Sequence, residues 1–256
     1  MLVDLLFDPF GGRWSEVHDG ASAAEEAGFD GIWLYDHLAG SVHREHHVLE
    51  CWTTLTAIAA AVPRIAVGPM VLNVANRDPG TLAVMAATLQ DVSSGRLLLG
   101  LGAGGGGRTP YAAEQVALGR AVPPDGERRR QVEDAVNRLR TVWSGSVGGA
   151  QGFLCPEPVP PVIIGGFGPK MAELAGRVGD GINVPAGSGL GELVGIARDA
   201  HARSRRDPAD FVVTASARPS VAEAARLATQ DVQRMVIYVR APYVDGVERA
   251  KTVLNR

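Results

Sequence analysis

The chain has 256 residues, a formal charge of −3, 21% charged residues and 46% hydrophobic ones. That balance fits a soluble globular protein with one sizeable core, and it lacks the basic excess of a nucleic-acid surface. No apolar run is long enough to span a bilayer, and the N-terminal MLVDLLFDPFGG has no charged region ahead of its apolar residues. Cys51 and Cys155 form neither a metal motif nor a disulfide framework. A cytoplasmic protein with no membrane or nucleic-acid partner is expected.

In chain order, Leu2–Phe7 reads as a short buried strand, Trp14–Ala27 as a helix stopped by Gly28, and 31–35 (GIWLY) as a second strand. A helix over 49–62 ends at Pro63, a strand follows over 65–73, and a helix over 79–93 opens on proline and stops before Gly95. The fourth strand covers 96–101. A glycine-rich loop then leads to a long helix over 127–143. The rhythm repeats as strand Val162–Gly165, helix 170–178, strand 181–184, helix 190–205, strand 211–216, helix 221–231, strand Arg234–Val239 and helix 244–254.

Eight strands alternate with eight helices, and most strands are continuous apolar runs, as both-face burial requires. The pattern implies parallel strands joined by right-handed crossovers. A single (β/α)8 TIM barrel over 1–256 fits this count and length, with an open doubly wound sheet as the alternative. The helices over 49–62 and 81–90 are apolar on most of their surface, which predicts a homodimer.

Active sites of such barrels lie at the carboxyl ends of the strands. That rule selects Asp8, Asp36, His37, the stretch from Met70 to Asn73, the glycine loop 102–107, the segment 165–170, Asn183 and Arg240. In GGFGPK, Gly165, Gly166 and Gly168 let backbone amides approach an anion, the next helix adds unpaired N–H groups and a positive dipole end, and Lys170 adds a charge. The segment reads as a phosphate cradle, against a plain tight turn. Asp36-His37 ends an apolar strand, and a histidine there can hold or pass a proton beside a redox ring. GLGAGG (100–105) matches the spacing G-x-G-x-x-G, but no helix starts at once, so a nicotinamide fold is the less favoured reading. HREHH (43–47) lacks a carboxylate partner and reads as a polar loop, so no metal is expected. Arg128–Arg130 reads as a solvated helix face.

Several stretches together resemble the bacterial luciferase-like oxidoreductases, in the branch that uses the deazaflavin coenzyme F420. They are AEEAGFDGIWLYDHL, LECWTTLTAIAA, RIAVGP, NRDPGTLAVMAATLQDVSSGRLLLGLGAG and PPVIIGGFGPKMAELAGRVGDGIN. The resemblance implies the luciferase-like barrel, with His37 beside the reactive carbon of the cofactor and Asp36 contacting it. It also implies a non-prolyl cis peptide between Met70 and Val71 that buttresses the ring, and Asn73 hydrogen-bonding the ring. Gly102, Ala103, Gly104 and Arg108 would hold the cofactor on one side, and Gly165, Gly166, Phe167, Gly168, Lys170 and Met171 on the other. The implied activity is hydride transfer between F420 and a small organic substrate.

Two departures accompany it. Gly105 stands where related sugar-phosphate dehydrogenases carry an acid, and the insertions at 145–161 and after Asn183 are shortened. The alternatives are an FMN-dependent monooxygenase, which would need oxygen and a flavin reductase as partner, and a flavin-binding protein without catalysis.

Overall fold

The computed structural model describes residues 1–145 and 147–254. The order of elements is β1 (Leu2–Phe7), α1 (Trp14–Ala27), β2 (Gly31–Leu34), α2 (Cys51–Ala61), β3 (Ala66–Pro69), β4 (Leu72–Asn73), α3 (Pro79–Val92), β5 (Leu99–Gly102), α4 (Ala112–Ala117) and α5 (Asp125–Trp143). It continues with β6 (Val162–Gly165), α6 (Pro169–Val178), β7 (Gly181–Pro185), α7 (Leu190–Arg203), β8 (Val212–Ala217), α8 (Val221–Thr229), β9 (Arg234–Val239) and α9 (Tyr243–Ala250).

Local chemistry explains the boundaries. The Glu16 carboxylate accepts from the Arg13 amide at 2.9 Å and starts α1, while Gly28 at φ +86° ends it in the left-handed region that glycine enters without strain. Asp78 accepts from Thr81 N at 2.8 Å ahead of Pro79, which opens α3.

All pairings between named strands are parallel, in the order β3-β2-β1-β9-β8-β7-β6-β5-β4. The first and last strands of the chain are neighbours, Leu2 opposite Arg234 and Phe7 opposite Val239. That adjacency rules out an open doubly wound sheet. β3 and β4 are the two halves of the single strand expected over 65–73, divided at a cis Met70–Val71 peptide. Val67 bridges in parallel to Leu97, and β4 pairs with β5 through Leu72 and Asn73, so both halves reach the next strand and nearly close the (β/α)8 barrel.

Strand alternation divides the core in two. The outward Val3, Leu5 and Phe7 of β1 join the main cluster between barrel and helices, whereas Leu6, Trp33, Met70, Ile163 and Val236 fill the inside. The floor is sealed below them. The Asp4 carboxylate accepts from Arg234 Nε and Nη2, each at 2.7 Å, and from Trp33 Nε1 at 2.8 Å. The Asp4 side chain has no exposed surface. Among the described residues no helix is long and apolar enough to cross a membrane.

Candidate active site

The alternation that puts Asp4 and Arg234 on the floor puts Asp8, Tyr35 and Tyr238 at the mouth. Tyr238 Oη donates to Asp8 Oδ2, and Phe10 N donates to Asp8 Oδ1 at 3.0 Å. The Tyr35 and Tyr238 rings lie 6.3 Å apart between centroids. Burial, and then the Asp8 charge, push Tyr35 up to about 12; burial and the bond to Asp8 push Tyr238 upward as well.

His37 stands above Tyr35, with ring centroids 6.0 Å apart. Its Nδ1 lies 2.8 Å from Glu114 Oε1, and the other Glu114 oxygen accepts from Leu38 N at 2.9 Å. A carboxylate only accepts, so this partner assigns the ring hydrogen to Nδ1 and leaves Nε2 free to exchange a proton. Glu114 is sealed, with 3% of its side chain exposed against 18% for His37. The short helix α4 brings it there from the loop after β5. Phe10 at 5.1 Å, Tyr111 at 5.0 Å and His43 at 5.8 Å complete an aromatic wall around the imidazole.

Asp36 faces the other way. Its carboxylate accepts from Arg77 Nη1 and Nη2, each at 2.9 Å, from Asn76 Nδ2 at 3.0 Å and from Asn73 N at 2.9 Å. The side chain has no exposed surface and ties β2 to β4. Arg77 also reaches Glu50, whose carboxylate caps α2.

The opposite side of the mouth is nearly bare of side chains. A Cβ on Gly102 would come 2.4 Å from Val71 Cγ2, and one on Gly165 2.8 Å from the same atom. These glycines therefore make room for Val71, which the kinked strand turns into the mouth. Gly104, at φ +65°, would bring a Cβ within 2.4 Å of the Asn73 side chain. The GLGAGG stretch thus packs a barrel mouth, and no dinucleotide fold is built on it. Arg128 Nη1 donates to Ala103 O at 2.9 Å and Gly104 O at 2.5 Å, holding the loop in place. Only 12% of that side chain is exposed, which corrects its reading as part of a solvated face.

Beyond Gly165 the chain enters α6 through Gly168, with Pro169 in the first turn and no side-chain cap on the helix. Lys170 is exposed beside this uncapped terminus, and Phe167 is 88% exposed, an apolar side chain left in water at the rim.

One family model, described as luciferase-like monooxygenase, matches residues 7–255. The chain belongs to this family. Among curated relatives of this luciferase-like chain is an F420-dependent glucose-6-phosphate dehydrogenase of Nakamurella multipartita, 33% identical over 184 residues that cover 68% of this chain and 52% of the relative. Another is an F420-dependent hydroxymycolic acid dehydrogenase of Mycobacterium tuberculosis, 32% identical over 63% of this chain and 46% of that protein. The chain spans about half the length of these relatives. Among solved structures, an F420-dependent secondary alcohol dehydrogenase with an F420–acetone adduct superposes with a TM-score of 0.84, at 18% identity, over 98% of this chain and 97% of that one. That likeness is one of fold.

Of the residues singled out from sequence, His37, Val71, Asn73, Gly102, Gly104 and Gly165 converge at the mouth, and the 166–171 loop flanks it. Met70 has its side chain in the barrel interior, where Ser216 Oγ lies 3.7 Å from its Sδ. Arg108 is exposed on the glycine loop. In the HREHH loop, His43 packs at a tilt against Phe10 with centroids 4.3 Å apart and His47 Nε2 donates to Gly12 O at 2.9 Å, so the two serve different contacts. Glu114 escaped the sequence reading because 77 residues separate it from His37 and no motif marks it.

Proposed function

We propose that this chain is an F420-dependent oxidoreductase that moves a hydride between the deazaflavin and a small organic substrate. The observation that carries the reading is the division of the mouth. One side is a bare glycine–valine surface that a flat ring can approach, and the other presents His37 with Nε2 unclaimed. The residues fit the cofactor. Val71 with Gly102 and Gly165 would meet the ring face, Asn73 its edge, and the uncapped α6 with Gly166, Gly168 and Lys170 its phosphate. Phe167, Met171, Ala103 and Arg108 would line its remaining length.

When bound, F420 supplies a carbon that takes or gives up a hydride. The chain supplies position and proton handling. As a substrate alcohol is oxidised, His37 Nε2 takes its hydroxyl proton; in the reverse direction it returns one. Glu114 fixes the ring and balances the imidazolium that results. Asp36 acts one step back, through Arg77 and the backbone of Asn73. The relatives named as F420-dependent support F420 over FMN, and an assembled His37–Glu114 pair supports catalysis over inert binding. The single-domain organisation and a homodimer through the outer faces of α2 and α3, where Val84 is 39% and Val92 43% exposed, belong to the same proposal.

Titrating the purified protein with F420 and with FMN, followed by tryptophan fluorescence and cofactor absorbance, tests it. Selective F420 binding is expected. Selective FMN binding would move the chain to the oxygen-using branch, and binding of neither would remove the reading.

A further inference from the structure

We infer that the Asp8–Tyr238 pair is a subsite for a second, non-reacting hydrogen-bond donor of the substrate, a hydroxyl or an ammonium group. The inference rests on the proposed function and names the substrate class that this mouth accepts.

The argument starts from hydrogen-bond capacity. A phenol carries one hydrogen, and Tyr238 gives it to Asp8 Oδ2. What its oxygen has left for a ligand is lone pairs. The other Asp8 oxygen takes the Phe10 amide, and Asp8 makes no ion pair among the described residues. Its negative charge therefore stands behind Tyr238 without a cation bonded to it. Arg240, exposed two residues further on, acts on Tyr238 only at a distance. A group that meets the Tyr238 oxygen has to donate a hydrogen. A phosphate or carboxylate there would face lone pairs backed by a carboxylate, and like charges at such range repel.

Position makes the pair a subsite. Tyr238 is 49% exposed although it points into the barrel, so part of its ring faces the open mouth. Tyr35 lies 6.3 Å from Tyr238 and 6.0 Å from His37 between ring centroids, so its ring links the other two. A molecule whose reacting carbon sits at His37 can reach Tyr238 by way of Tyr35, within two ring spacings. The substrate is then a small molecule with its reacting alcohol or carbonyl at one end and a donor at the other, and it carries no anionic group at that end.

The test titrates four probes calorimetrically into the protein with F420 present and with F420 absent. The probes are a short secondary alcohol and its analogues ending in a hydroxyl, an ammonium or a phosphate. The hydroxyl or the ammonium analogue should bind about tenfold tighter than the plain alcohol, and the phosphate analogue weaker. Which of the two donors wins identifies the group. Asp8→Asn should narrow the gap to the phosphate analogue, and Asp8→Asn combined with Tyr238→Phe should erase this ranking while F420 affinity holds. Equal binding of all four probes, preference for the phosphate, or an unchanged ranking in the double variant would overturn the inference. Failure of the F420 reading shows separately, as absent F420 binding in the wild type.

Discussion

β1 with the residue that follows it, and β9, place an aspartate and its partner at both ends of the barrel, and the two ends treat the charge differently. On the floor, Asp4 is met by two nitrogens of Arg234 and by Trp33 Nε1, with no side-chain surface left to water. At the mouth, Asp8 is met by a phenol and a backbone amide, both neutral. The floor closes its hydrogen bonds and its charges together. The mouth satisfies the hydrogen bonds and leaves the charge for something else to use. Four residues along the same strands separate a group that holds the barrel shut from one that faces a ligand.

The comparison breaks if the two aspartates prove interchangeable. Arg234→Ala strands the buried Asp4 carboxylate and should cost about 3–5 kcal/mol of stability, read as a lowered denaturant midpoint. Asp8→Asn should cost at most about 1 kcal/mol in the same experiment, because neutral donors remain. Equal losses would show that both ends are structural.

His37→Asn sharpens the functional side. Loss of the proton-exchanging nitrogen should lower kcat by about a hundredfold or more with F420, with the fold intact by circular dichroism. Unchanged turnover would place the proton transfer elsewhere.

High pH probes the buried phenols of the mouth. Tyr35 is raised from 10.0 to about 12 by burial and then by Asp8. The folded state thus holds this proton more firmly than the unfolded chain does. Its contribution is complete below pH 10 and is lost as pH rises through about 12, on the order of 2 kcal/mol. Urea melts across that window should show the decline, and Tyr35→Phe should make it shallower, the other raised phenols, Tyr238 and Tyr243, keeping the remainder.

Glu114→Gln has a smaller expected effect than the loss of His37. An amide can still serve either His37 or Leu38, but it brings a donor where both partners donate. kcat should fall about tenfold while KM for F420 stays, the mark of a residue that positions another. A fall in F420 affinity instead would make Glu114 part of the cofactor site.

How much of this was legible in the sequence follows from what sets each feature. The apolar runs of β1, β6 and β9, the helix stop at Gly28 and the uncapped entry to α6 are local, so composition and spacing were enough. The split of the third strand came only from family resemblance, since nothing in VGPMVLN by itself marks a break. Side-chain roles decided by distant partners were misread or missed. The bond from Arg77 to Asp36 could not be foreseen, because the two lie 41 residues apart. Arg128 looked solvated because the carbonyls it holds belong to another loop. The spacing of the glycines in 100–105 marks a barrel mouth, but their reason, the Val71 side chain, is a contact between distant residues that no local pattern carries.

The central claim is that cofactor holding and proton handling occupy opposite sides of one mouth. Calorimetric titration of F420 into wild type, Lys170→Ala and His37→Asn tests it most directly. Lys170→Ala should weaken F420 severalfold, about 1 kcal/mol, and His37→Asn should bind it as the wild type does. The reverse pattern, with affinity lost at His37 and kept at Lys170, would contradict the account.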